Sequence, residues 1–174
     1  MYAGDSALHM AAAGYRWHIA RELLEKGADH AAKNRRGAEP LHYAADANTW
    51  HPVAQVETID GLMSAGANPN ALDKSGVSPL HRAVRTRCAA AVRALLAGGA
   101  APRGKNQSGS TPLHLAVQNT GRGGSAAPEA IEQQRQIILL LLESGARPED
   151  QDGRGRTAKQ AASAEWIRAL LETR

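Results

Sequence analysis

Apolar and small residues recur along this chain in short blocks. Four blocks share one order: Ser6-Ala7-Leu8-His9-Met10-Ala11-Ala12, Glu39-Pro40-Leu41-His42-Tyr43-Ala44-Ala45, Ser78-Pro79-Leu80-His81-Arg82-Ala83-Val84 and Thr111-Pro112-Leu113-His114-Leu115-Ala116-Val117. Thr157-Ala158-Lys159-Gln160-Ala161-Ala162 is a weaker fifth copy. Each full block predicts a short helix. Ser or Thr can cap it, Pro suits its first turn, and Leu and Ala form its inward face. A second apolar stripe follows at helical spacing, as in Ile19, Leu23 and Leu24 or Val92, Leu95 and Leu96. A Gly-Ala pair at Gly27, Gly66, Gly99 and Gly145 then ends each stripe, because glycine takes the left-handed cap without steric cost. His81 and His114 are 33 residues apart, which sets the period. From block His to Gly the distance is 18 residues in units one and three, 24 in unit two and 31 in unit four. Units two and four therefore carry insertions, both between their first and second helices and so both at the end of the stack away from the unit-to-unit turns. One surrounds Asn48-Thr49-Trp50-His51-Pro52, where an indole could close over helix ends. The other begins with the Gly-rich stretch 120–125, after which Pro128 should start an extended helix reaching about Glu143.

These blocks resemble the ankyrin repeat, which has a 33-residue period and a Thr-Pro-Leu-His-x-Ala signature. The resemblance covers nearly the whole chain, and four copies in phase make it specific. The stretch from Gly66 to Gly76 looks like the family's inter-repeat β-turn. The resemblance implies an all-α ankyrin-repeat solenoid of four helix-turn-helix repeats plus a C-terminal cap, joined by β-turns. We expect a single domain over 1–174, with units at about 5–37, 38–76, 77–109 and 110–155 and a cap at 156–174. Lys159 and Gln160 replace the signature Leu and His in the cap, and the final helix should run from Glu165 to Thr173. The first unit reads as lacking a preceding β-turn. No unit can bury its apolar face alone, so neighbours must stack.

Composition narrows the picture further. There is no Phe, so Ala and Leu must build the core, which requires closely packed helices. Cys88 is the one cysteine, which excludes an internal disulfide or a Cys-based zinc site and suits a reducing compartment. The first ten residues lack a signal-peptide layout, and the longest apolar run, from Ile137 to Leu142, is too short to cross a membrane. The expectation is a cytoplasmic monomer that is not an enzyme and uses no cofactor or metal. The resemblance implies that His9, His42, His81 and His114 bond to backbone and tie neighbouring units together. They would stand roughly 10 Å apart on adjacent units, too far to share a metal. Cys88 has Arg85 and Arg87 nearby but no positioned base, and reads as a surface or half-buried thiol. Gly121-Arg122-Gly123-Gly124-Ser125 lacks the remainder of a phosphate-loop pattern and reads as a linker. Leu139 stands where Arg21, Asp60 and Arg93 stand in the other units, a slot expected to face solvent.

The resemblance places function on surface positions of the inner face, made by β-turn tips and first helices. Aligning the units puts Arg35 and Arg36, Lys74 and Ser75, Gln107 and Ser108, and Gly153 and Arg154 at successive tips. The residue after the signature His is Met10, Tyr43, Arg82 or Leu115. Later first-helix positions hold Asp46 and Ala47, Arg85 and Thr86, and Gln118 and Asn119. One concave face thereby collects Arg35, Arg36, Lys74, Arg82, Arg85 and Arg154, with Tyr43 among them and Asp46 as the opposing charge. Arg binds carboxylates with a planar fork, and Arg and Tyr are frequent interface hot spots. The expected partner is a protein presenting an acidic segment, with no small-molecule substrate and no membrane. A second reading is a regulatory or targeting segment of a larger enzyme or effector. A third, nucleic-acid binding, has only a net charge of +4 behind it and lacks interleaved stacking aromatics.

Overall fold

The structure is a computed structural model and describes residues 4–46, 51–118 and 127–172. Ala47 to Trp50, Asn119 to Ala126 and Thr173 lie outside the described residues, and with them the indole of the first insertion and the Gly-rich start of the second. The described residues form ten helices and no strand. They are α1 (Ala7–Ala13), α2 (Trp17–Glu25), α3 (Pro40–Ala45), α4 (Pro52–Ser64), α5 (Pro79–Thr86), α6 (Ala89–Ala97), α7 (Pro112–Ala116), α8 (Pro128–Glu143), α9 (Ala158–Ala161) and α10 (Glu165–Glu172). The first helices α1, α3, α5, α7 and α9 pack in that order, and the second helices α2, α4, α6 and α8 pack alongside in theirs. This is the stack that the repeated blocks predict. α8 begins at Pro128 and ends at Glu143, as its proline indicates.

Block chemistry explains each element. The side chains of Ser6, Ser78, Thr111 and Thr157 cap α1, α5, α7 and α9, each accepting from a backbone N–H three residues on. Leu8, Leu41, Leu80 and Leu113 are fully buried between layers, and Ala11, Ala44, Ala83 and Ala116 let the layers approach closely. α2 behaves differently: among the described residues no helix packs on its outer side. Only Ala20 is buried there, while Ile19, Leu23 and Leu24 are half-buried. Gly27, Gly66, Gly99 and Gly145 all have φ near +90° to +100°, the left-handed cap that stops each second helix.

The two kinds of unit close their helix pairs differently. In units one and three the chain turns back tightly through a residue with positive φ, Tyr15 at 51° and Arg87 at 60°. The next backbone N–H, of Arg16 or Cys88, then bonds to the Ala11 or Ala83 carbonyl. In units two and four, where the chain between the helices is longer, the equivalent carbonyl meets a side-chain donor. A buried glutamine supplies it: Gln55 Nε2 donates to Ala44 O at 2.9 Å, and Gln134 Nε2 to Ala116 O at 2.7 Å. Both glutamines lie on the second helix and are almost wholly buried.

Candidate partner-binding cleft

The tips are built by a four-residue turn that opens on Asn34, Asp73, Asn106 or Asp152. In each, the N–H of the fourth residue, Gly37, Gly76, Gly109 or Gly155, donates to the carbonyl of the first. The side-chain Oδ1 of that first residue accepts two further N–H groups, two and four residues on. Each tip is thus fixed by its own leading side chain. The tips are also laced together. Lys74 N donates to Arg36 O at 2.9 Å, Gln107 N to Ser75 O at 3.0 Å and Gly153 N to Ser108 O at 2.9 Å. Gly4 has φ +90°, and a side chain there would lie 3.1 Å from Arg35 N, much as one on Gly37 would lie 3.0 Å from Lys74 N. Gly4 therefore stands where the turn glycines of the later units stand, while residues 1–3, where the rest of such a turn would fall, lie outside the described residues. Gly4-Asp5-Ser6 matches Gly76-Val77-Ser78 in position, but its opening residue would be Met1, which gives no Asn or Asp signal.

Between the tips that open on Asn34 and Asp73 lies a cleft of about 570 Å³ lined by Arg35, Arg36, Tyr43, Asp46, Asp73, Lys74, Ser75, Val77, Arg82 and Arg85. Seven of the eight residues expected at the binding face meet here. Arg154 does not: it sits exposed at the tip before the cap, where its backbone N–H bonds to Asp152. Arg82 is the centre of the cleft's charge network. Its Nη2 lies 3.2 Å from Asp73 Oδ2 and its Nη1 3.4 Å from Asp46 Oδ2, while Arg85 Nη2 approaches the same Asp46 oxygen at 3.5 Å. The Arg82 side chain is only 13% exposed against 60% for Arg85, so one belongs to the floor and the other to the rim. Arg82 also lies over the Tyr43 ring, 5.8 Å from its centroid. Tyr43 donates its hydroxyl to Asp5 at 2.7 Å, and Asn34 Nδ2 bonds to both. Burial, and then that carboxylate, push the Tyr43 phenol up to about 12. Burial alone would raise Asp73, but the Val77 and Ser75 N–H groups and Arg82 hold it below the ordinary carboxylate range. Asp73, Asn34 and Asp5 are members of this network that sequence reasoning missed. The recurring Asn or Asp three residues before each turn's closing Gly was the available signal for the first two.

A family model described as ankyrin repeats in three copies matches residues 50–152, and one described as ankyrin repeat matches residues 3–35. The chain belongs to the ankyrin-repeat family. Ankyrin repeats are in general protein–protein interaction modules. Over 81 residues the chain is 40% identical to NF-kappa-B inhibitor delta of Mus musculus, covering 45% of this chain and 23% of that one. It is 28% identical over 85 residues to Protein fem-1 homolog A of Bos taurus (45% and 13%). It is 35% identical over 92 residues to E3 ubiquitin-protein ligase KEG of Arabidopsis thaliana (51% and 5%). The matched stretch thus spans less than a quarter of each of these relatives.

The ankyrin signature histidines do what the resemblance implied. Their Nδ1 atoms accept the backbone N–H of Ser6, Glu39, Ser78 and Thr111, which leaves the hydrogen on Nε2. Nε2 then donates to the carbonyl just before the next unit's cap: His9 to Ala38, His42 to Val77, His81 to Ser110 and His114 to Arg156, at 2.9 to 3.1 Å. No group of three or more His, Cys, Asp or Glu able to hold a metal occurs among the described residues. Cys88 corrects the sequence reading. It is buried in the ankyrin core at the start of α6, so it packs as a small hydrophobe. Leu139 is half-buried. No helix among the described residues is long and apolar enough to cross a membrane.

Proposed function

We propose that this ankyrin-repeat chain binds a protein partner through the cleft between the turn tips that open on Asn34 and Asp73, gripping an acidic segment. One observation carries the reading. Two tips and helix α5 bring five cationic side chains to a single cleft, where only two carboxylates face them. The backbone ladder between tips presents those groups already ordered, which lowers the entropic cost of binding. Capture from lysate on wild type and on an Arg35→Glu/Lys74→Glu/Arg85→Glu variant tests it. Bound proteins should be lost from the variant, and capture by wild type should weaken with added salt. An unchanged set of captured proteins, with the variant folded, would sink the proposal. Arg82 is kept out of the variant because it is part of the structure.

A second reading, that this is the regulatory or targeting segment of a larger enzyme or effector, has one observation behind it. The chain resembles a stretch amounting to 5% of a protein named as an E3 ubiquitin ligase. In that setting the same cleft would recruit the protein acted upon. Nucleic-acid binding gains nothing from the cleft, because Tyr43 is its one aromatic and its hydroxyl is committed to Asp5.

A further inference from the structure

We propose that the anion this cleft selects is a phosphoryl group on a phosphorylated Ser or Thr of the partner, in preference to a carboxylate; this rests on the reading that the cleft takes an acidic segment. The internal charges point this way. Asp46 and Asp73 already occupy the guanidinium of Arg82, and Asp46 also draws Arg85. An incoming carboxylate brings the same single charge and two oxygens, so on this floor it competes with fixed copies of itself. The cleft's five cations and two carboxylates leave a net charge of +3, and cations stand on three separate elements: Arg35 on one tip, Lys74 on the next, and Arg82 and Arg85 on α5. A planar carboxylate matches one guanidinium fork at a time. A phosphoryl group carries three acceptor oxygens and close to two charges at neutral pH, so it can be approached from all three elements together. Ser75 stands exposed at the rim as a further hydroxyl donor. A space of about 570 Å³ accommodates a phosphorylated side chain together with the backbone that carries it.

Fluorescence anisotropy on the full chain decides the matter with three labelled peptides of sequence Gly-Glu-Glu-X-Glu-Glu-Gly, where X is phosphoserine, Glu or Ser. The phosphoserine peptide should bind at least about tenfold more tightly than the Glu peptide at pH 7.5. That margin should shrink toward pH 5, because the second phosphate ionisation lies near pH 6 and protonation there removes one charge. Arg35→Glu combined with Lys74→Glu should abolish the preference while leaving the circular-dichroism spectrum and melting temperature close to wild type. Equal binding of the phosphoserine and Glu peptides, both above the Ser peptide, would overturn the phosphoryl inference and leave the acidic-segment reading standing. Equal binding of all three peptides would also overturn only the phosphoryl inference, because the Ser peptide itself carries four Glu, whereas no binding of any of them would overturn both. An oligothymidylate that binds as tightly as the phosphoserine peptide, and is lost in the same variant, would also overturn the inference by showing that any phosphate serves.

Discussion

His42 is kept neutral by where it sits. Burial, and then the Arg82 guanidinium, push its imidazole down to about 4 from an ordinary 6.5. The unfolded chain therefore takes up a proton near pH 6.5 that the folded chain refuses until about pH 4. The stabilisation is whole above pH 6.5 and is lost as pH falls toward 4, by roughly 3 kcal/mol from this one group. Burial lowers His81 as well, so the trend is reinforced. Urea unfolding should show stability falling over that window, with a shallower fall in His42→Gln; a flat profile in wild type would refute it. Arg82 and Arg85 differ in what their reversal would cost, because Arg82 stands between two carboxylates, one of them 9% exposed. Arg82→Glu should cost about 3–5 kcal/mol, as for breaking a buried pair, and exposed Arg85→Glu under about 1 kcal/mol. Chemical denaturation separates them, and equal costs would contradict the assignment of floor and rim. The histidine ties and Tyr43 were legible because the repeated block carries them. Asp73 was not, because the turn's leading Asn or Asp looks like an ordinary loop residue until its Oδ1 is seen closing the turn.

At the scale of helices, Gln55 and Gln134 bond the Ala44 and Ala116 carbonyls, whose counterparts in the shorter units are bonded by a backbone N–H. Side chains of the tight units also reach across: Tyr15 donates to Asp46 O at 2.9 Å and Arg87 to Gln118 O at 2.7 Å, at matching positions of units two and four. The open connections are therefore braced from both sides. Gln134→Leu should cost about 1–3 kcal/mol by stranding the Ala116 carbonyl. Deleting 121–127, beyond that brace, should shift the melting temperature little. The reverse ranking in a thermal melt would show that the Gly-rich stretch holds the unit together. Gly61 in α4 gives a second check, because an added methyl there would lie 2.6 Å from the Trp17 ring. Gly61→Ala ordinarily favours a helix by up to about 1 kcal/mol, but here overpacking should outweigh it and cost about 1–3 kcal/mol. In a Trp17→Leu background the same substitution should become neutral or stabilising, and a failure to change sign would clear the ring of blame. Helix starts were legible from Ser, Thr and Pro, and α8 from Pro128. The glutamine braces were not, since a lone Gln on an amphipathic helix is normally a solvated residue.

Across the whole molecule, the stack makes stability depend on neighbours. Leu80 and Leu113 lie between covered layers, so replacing either with Ala should cost about 2–5 kcal/mol through the cavity it leaves. Leu23 on the uncovered face of α2 should cost less, and equal costs in denaturant titrations would argue against a layered core. The fold was readable because one pattern appears four times in phase, which averages out local irregularity. Most of the cleft was readable too, since alignment of units stacks equivalent positions. What alignment could not supply was pairing, because Asp46 and Asp73 of unit two meet Arg82 of unit three only once the units are stacked. That assembly turns a basic surface into a cleft with a neutralised floor and a cationic rim. The most direct test is a ¹H–¹⁵N NMR titration of the protein with a short polyglutamate peptide, following backbone and Arg side-chain signals. Shifts should concentrate at Arg35 to Gly37, Lys74 to Gly76 and Arg82 to Arg85, and should fade as salt is added. Shifts centred on α8, on the cap or on α2, with the two turn tips silent, would contradict the cleft as the binding site.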